Sequence, residues 1–113
     1  MTRYEAGRRF EWRVRDELTD DGYAVIRSAG SKTKVDLVAI KPGQWLLVQC
    51  KRDGRIGPAE RSKLLSLASM CAALPVVAAL DGGRPAQVTY RLLTGAGPRD
   101  WETRSADVVE VAT

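Results

Sequence analysis

The sequence predicts an α/β fold in which a mixed central sheet, an antiparallel meander plus a parallel strand, is flanked by helices in the order α-β-β-β-α-β-β. Three observations carry this prediction. Apolar residues recur at spacings of three and four over residues 3–20. Two apolar runs, 34–40 and 44–51, are separated by the turn dipeptide Pro42-Gly43. A helical stretch and another apolar run follow, the strand–helix–strand unit that crosses over right-handedly and adds a parallel strand.

The first helix is marked by Tyr4, Gly7, Phe10 or Glu11, Val14 and Leu18, and Gly22 suits the left-handed position that ends it. Residues 23–27 read as a short strand and 28–31, Ser-Ala-Gly-Ser, as a small-residue loop. The next two strands are apolar on both faces, as expected of a sheet centre covered on both sides. After the polar loop 52–57, Pro58 fits the first helical position and Glu60 the first turn. Leu64, Leu67, Ala68 and Cys71 give this second helix an apolar stripe to about residue 73. Residues 75–80 read as a continuous buried strand and 87–93 as an alternating one. From Thr94 the signal weakens, and 107–111 is either a last strand or a contact tail.

At 113 residues the chain is expected to form one domain, 1–113, with a core over about 5–93 and a C-terminal segment, 94–113, of uncertain structure. No apolar stretch is long enough to span a bilayer, and the opening residues lack the apolar core of a secretory signal. A cytoplasmic protein is expected, with Cys50 and Cys71 as buried thiols and no disulfide. Eighteen Lys and Arg, thirteen of them Arg, against fourteen acids give a net charge of +4 and a pI near 9.4. Forked Arg contacts suit a polyanionic partner, although an Arg-rich solvated surface is the alternative. Histidine is absent, which removes histidine general bases, Ser-His-Asp triads and histidine-ligated zinc. Any catalysis here runs on carboxylates, Lys, Arg, Ser or Tyr.

The hairpin carries the candidate chemistry. With Pro42 and Gly43 at the tip, position i faces position 85 − i, which sets Asp36 opposite Gln49. Alternation adds Lys51 to that face, so an acid, an amide and a lysine cluster within roughly 5–8 Å on otherwise apolar strands. Such groups are costly to bury unless paired or bound to a metal. One reading is a structural Asp36–Lys51 ion pair; the other is an active site. Glu11 falls on the helix stripe Gly7–Glu11–Val14–Leu18, which aims it along the buried face, with an ordinary helix-edge Glu as the alternative.

The segments Gly7-Arg-Arg-Phe-Glu11, Gly22-Tyr-Ala-Val-Ile-Arg-Ser-Ala-Gly-Ser31, Val35-Asp-Leu-Val-Ala-Ile40 and Leu46-Leu-Val-Gln-Cys-Lys51 resemble the archaeal-type Holliday junction resolvases. These belong to the PD-(D/E)xK nuclease superfamily, and the resemblance covers roughly residues 5–80. It implies a restriction-endonuclease-like core and metal-dependent hydrolysis of DNA phosphodiesters. Carried over position by position, it makes Glu11 the helix glutamate, Asp36 the motif aspartate, Lys51 the motif lysine and Ser31 a loop serine near the scissile phosphate. Gln49 departs from the pattern, because the family usually has Glu there. An amide oxygen ligates a hard cation but brings no charge. Expected ligands for Mg²⁺, with Mn²⁺ as a substitute, are Glu11, Asp36, Gln49 and the backbone carbonyl of Cys50.

Arg3, Arg8, Arg9, Arg13 and Arg15 load the first helix, Arg27, Lys32 and Lys34 flank the loop, and Arg52 and Arg55 follow Lys51. Phosphate-tracking residues beside the site are expected for a DNA-binding surface, of which Arg8, Arg9, Arg27, Lys32, Lys34, Arg52 and Arg55 are the candidates. Branched DNA, a four-way junction, is the expected partner. Its near two-fold symmetry calls for a homodimer. The rival readings are another nuclease of the superfamily, of repair or flap type, and a DNA-binding scaffold in which Gln49 marks lost catalysis.

Overall fold

A computed structural model describes residues 2–28 and 35–104 of the chain. The first helix, α1 (Arg3–Asp20), starts at Thr2, whose hydroxyl accepts the Glu5 N–H at 3.1 Å and so satisfies one of the donors left open at a helix start. It ends where Gly22 adopts φ +96°, allowing the Tyr23 N–H to reach back to the Leu18 carbonyl at 3.0 Å. Phe10, Val14 and Leu18 form its buried stripe.

Strands β1 (Ala24–Arg27), β2 (Leu37–Lys41) and β3 (Gln44–Cys50) make an antiparallel meander. The hairpin turns through Pro42 and Gly43, the glycine at φ +76°. Helix α2 (Pro58–Cys71) crosses to β4 (Leu74–Leu80), which lies parallel to β3, and β5 (Val88–Leu93) returns antiparallel. A sixth strand, β6 (Trp101–Arg104), extends the sheet to the order β1-β2-β3-β4-β5-β6. The sequence did not announce β6, because its side chains are all exposed and no apolar alternation marks it. The expected 107–111 element lies outside the described residues.

Both faces of the sheet centre are covered, as the apolar strands required. On one face α1 packs Phe10, Val14 and Leu18 over Leu37, Leu46, Val48 and Val76. On the other, Leu64 and Ala68 of α2 pack with Leu47, Val77 and Leu93. Each fully buried Leu or Val contributes about 1.5–3 kcal/mol, so neither helix can detach without a large loss. Arg61 is buried beneath the segment leading to β6 and donates to the carbonyls of Gly95, Asp100 and Pro98 at 2.9, 3.2 and 3.5 Å. One expected burial fails. Cys71 is exposed, because α2 ends there, with Ala72 already left-handed at φ 53°. No described helix is long and apolar enough to cross a membrane.

Candidate active site

The register of β2 and β3 runs Leu37↔Val48 to Lys41↔Gln44, the pairing expected from a two-residue tip. One step beyond, the Asp36 N–H donates to the Val48 carbonyl at 3.0 Å, and Asp36 Oδ2 accepts the Cys50 N–H at 2.8 Å. The aspartate is therefore clamped across the open end of the hairpin. Lys51 follows β3. Its carbonyl accepts the Gly54 N–H at 2.7 Å, and Arg91 Nη1 of β5 holds the Gly54 carbonyl at 3.1 Å. Gly54 needs φ +75°, and any Cβ there would collide with the Arg91 guanidinium at 2.2 Å. This fixed turn sets where the lysine leaves the strand.

Glu11 reaches the same region from α1. Its side chain is 23% exposed and lies 3.9 Å from Arg27 Nη2. Burial and then the charge of Asp36 push its carboxyl above the usual range, with Arg27 and Arg8 opposing. Asp36 is also raised, chiefly by burial and further by Glu60, against the pull of the Cys50 N–H, Lys51 and Arg27. Burial, then Asp36 and Glu11, push the Cys50 thiol far up, so it stays protonated and is no thiolate ligand.

The structure supplies a carboxylate that sequence reasoning missed. Glu60 Oε2, in the first turn of α2, lies 2.8 Å from Lys51 Nζ and accepts Gln49 Nε2 at 3.4 Å. Lys51 thus bridges to Glu60, and no Asp36–Lys51 ion pair forms among the described residues. The sequence carried one signal for this: Pro58 starts a helix shortly after Lys51, which brings its first turn back beside the strand end. Gln49 Oε1 is the single buried side-chain oxygen or nitrogen among the described residues without a hydrogen-bond partner.

Beside the site a cleft of about 800 Å³ is lined by Arg3, Gly7 and Phe10 of α1 and by Cys50, Lys51 and Arg52. Of the candidate phosphate-tracking residues, Arg8 and Arg27 lie near the carboxylates, Arg52 lines the cleft, and Arg9 is exposed on α1. Arg55 lines a different cavity, of about 290 Å³, with Arg61 and Arg91. Arg13 donates to the Ala86 carbonyl at 2.7 Å and Arg15 pairs with Asp16 at 3.0 Å, so both serve the fold's own contacts. Ser31, Lys32 and Lys34 lie outside the described residues.

The donor set suits a hard divalent cation. It offers carboxylates and an orphaned amide oxygen, with no imidazole or thiolate. No three acids or thiols among the described residues converge into a closed cage. Mg²⁺ commonly takes one or two carboxylates and keeps its remaining positions for water and substrate phosphate, which an open arrangement permits.

Comparison with known proteins bears on the family and the fold. The profile of the archaeal Holliday junction resolvases (Hjc) matches residues 2–94. The crossover junction endodeoxyribonuclease Hjc of Methanocaldococcus jannaschii is 33% identical over 99 residues, covering 84% of this chain and 74% of the relative. The crystal structure of Archaeoglobus fulgidus Hjc, a Holliday junction resolvase, superposes with a TM-score of 0.62 at 27% identity, covering 77% of this chain and 70% of that one. With a family model matching most of its length and a curated relative at 33% identity, the chain belongs to the archaeal Holliday junction resolvase family.

Proposed function

We propose that this chain is an endonuclease that resolves four-way DNA junctions, hydrolysing phosphodiesters at the open end of the β2–β3 hairpin with Mg²⁺, or Mn²⁺ in its place. The observation that carries the reading is the end of that hairpin. Asp36 is clamped there between the Val48 carbonyl and the Cys50 N–H, with Lys51 at the end of β3 and Glu11 reaching in from α1, beside a cleft edged by arginines.

A cation held by Asp36, Glu11, Gln49 Oε1 and the Cys50 carbonyl would neutralise charge on the phosphate and make a bound water more acidic. The protein's own residues do the rest. The Cys50 N–H fixes one Asp36 oxygen and leaves the other to face the site. Glu11, approaching from the helix, supplies a second carboxylate whose burial makes its charge felt. The Lys51 ammonium, held at the strand end, stabilises the negative charge that builds on the phosphate. Arg8, Arg27 and Arg52 draw the backbone into the cleft, with Arg9 and Arg55 as outlying contacts, Lys32 and Lys34 complete the proposed DNA-contacting set, and Ser31 is the proposed catalytic loop serine at the scissile phosphate. Two symmetric cuts in a junction require two sites, which a homodimer provides. Cellular DNA as substrate makes the cytoplasm the expected setting.

The test is a nicking assay on a four-way junction beside a matched linear duplex, with Mg²⁺, with Mn²⁺ and with chelator. Paired symmetric nicks in the junction alone, absent with chelator, are expected. Preference for a flap substrate would move the chain to a repair nuclease, and binding without cutting in either metal would make it a scaffold.

A further inference from the structure

Gln49 stands where the family's motif usually carries a charge, and the amide alone cannot restore it. The contacts around it show where the charge went. Glu60 Oε2 is shared by the Lys51 ammonium at 2.8 Å and the Gln49 amide nitrogen at 3.4 Å. A carboxylate only accepts, so Gln49 must present Nε2 to Glu60. Its Oε1 is thereby turned the other way, where it is buried and unpartnered. An amide is otherwise free to flip, and in the flipped state it would offer N–H groups where a cation needs an oxygen. The Glu60 side chain is 46% exposed, so its charge is not sealed off from solvent.

We propose that Glu60 is a positioning residue of the active site, one that takes over the charge absent at position 49, orients the Gln49 amide so that Oε1 is an available donor, and fixes the Lys51 ammonium. The inference rests on the cation-dependent reading of this site. Without Glu60, Gln49 loses the partner that fixes its orientation. Lys51, whose charge already acts on Asp36, is then released to pair with that carboxylate and compete with the cation. The two positions should therefore behave as a compensating pair, and a carboxylate at 49 should remove the need for one at 60.

The experiment uses Mn²⁺ as the probe, titrated against the metal-free full chain and followed by loss of the free-ion paramagnetic resonance signal. Wild type, Glu60→Ala, the isosteric Glu60→Gln, Gln49→Glu and the double variant Gln49→Glu/Glu60→Gln are compared. Both single changes at 60 should weaken Mn²⁺ binding by about 10–100-fold, the usual effect of losing a group that orients a ligand. A half-exposed ion pair adds little to stability, so melting temperatures should stay within about 4 °C of wild type. The double variant should recover most of the lost affinity. Mn²⁺ binding by Glu60→Ala and Glu60→Gln equal to wild type, or a double variant no tighter than Glu60→Gln, would overturn the proposal. Wild-type cleavage of a four-way junction is read alongside. The expected titrations without junction cutting would keep the role of Glu60 and remove the resolvase reading. Junction cutting with unchanged titrations would do the reverse.

Discussion

Two glutamines on one strand, Gln44 and Gln49, sit toward opposite ends of β3 and contrast a structural end with the proposed reactive one. Gln44 is buried beside the turn, and its Nε2 donates to the Tyr23 hydroxyl at 2.7 Å, while the Lys41 ammonium lies over the Tyr23 ring at 4.2 Å. Gln49 makes one long contact, to Glu60, and leaves Oε1 buried without a partner. A buried unsatisfied oxygen costs about 1–3 kcal/mol, which the turn end avoids and the open end accepts. Local rules are met where the strand only has to hold, and broken at the end proposed to bind the cation.

The sharpest test of that contrast is at the open end. Asp36→Asn and Lys51→Ala should each reduce single-turnover cleavage by about 10²–10³-fold, the effect of removing one preorganised charge, with junction affinity retained. Asp36→Asn keeps an acceptor for the Cys50 N–H and should not lower the melting temperature. Loss of the circular dichroism signal in both variants would instead make this end structural, like the other.

At the turn end the pattern should invert. Gln44→Leu leaves the Tyr23 hydroxyl without its amide partner and should cost about 1–3 kcal/mol of stability, read by urea unfolding, with cleavage unchanged below the melting transition. A large loss of cleavage in the folded variant would erase the distinction between the two ends.

Acidification should move stability and activity in opposite directions. The Asp36 carboxyl is raised, so at pH between its unfolded and folded values the folded metal-free state binds more proton than the unfolded chain. Its ionisation penalises the fold fully above the raised folded value, and the penalty disappears as pH falls below the unfolded value. The stability advantage of Asp36→Asn over wild type should therefore be present at neutral pH and vanish once pH drops through the ordinary carboxylate range. Cleavage, which in the proposed mechanism needs Asp36 and Glu11 charged, should fall over the same descent. An Asp36→Asn advantage that does not change with pH would detach the carboxylate from its buried setting.

The smallest expected effect is at Gly7, which lines the cleft inside α1 and whose added Cβ would meet nothing within 4 Å. Gly7→Ala should stabilise the chain by about 1 kcal/mol through helix propensity. Lower junction affinity in this more stable variant would show that the DNA backbone approaches the helix at that point, and unchanged affinity would leave Gly7 outside the contact surface.

The sequence by itself determined the hairpin and what faces what across it. A Pro-Gly tip and strict alternation are local, so the register from Leu37↔Val48 to Lys41↔Gln44 follows from the chain over a few residues, whereas the expected Asp36–Gln49 pair is displaced because the Asp36 N–H turns to the Val48 carbonyl. It also determined α1, since cap, stripe and terminal glycine all lie within one segment. Three features were decided only by tertiary structure. Glu60 reads locally as a helix-start acid and joins the site because α2, packed on the far face through Leu64 and Ala68, returns its first turn to the end of β3. Strand β6 has no apolar pattern and exists because the edge of β5 offers unpaired backbone groups and the buried Arg61 gathers the carbonyls that lead to it. Arg13, one of the arginines that load the first helix, is claimed by the fold, since its guanidinium finds an acceptor distant in the chain, the Ala86 carbonyl. Periodicity and turn chemistry act over a few residues, whereas these partners meet only after the helices have packed.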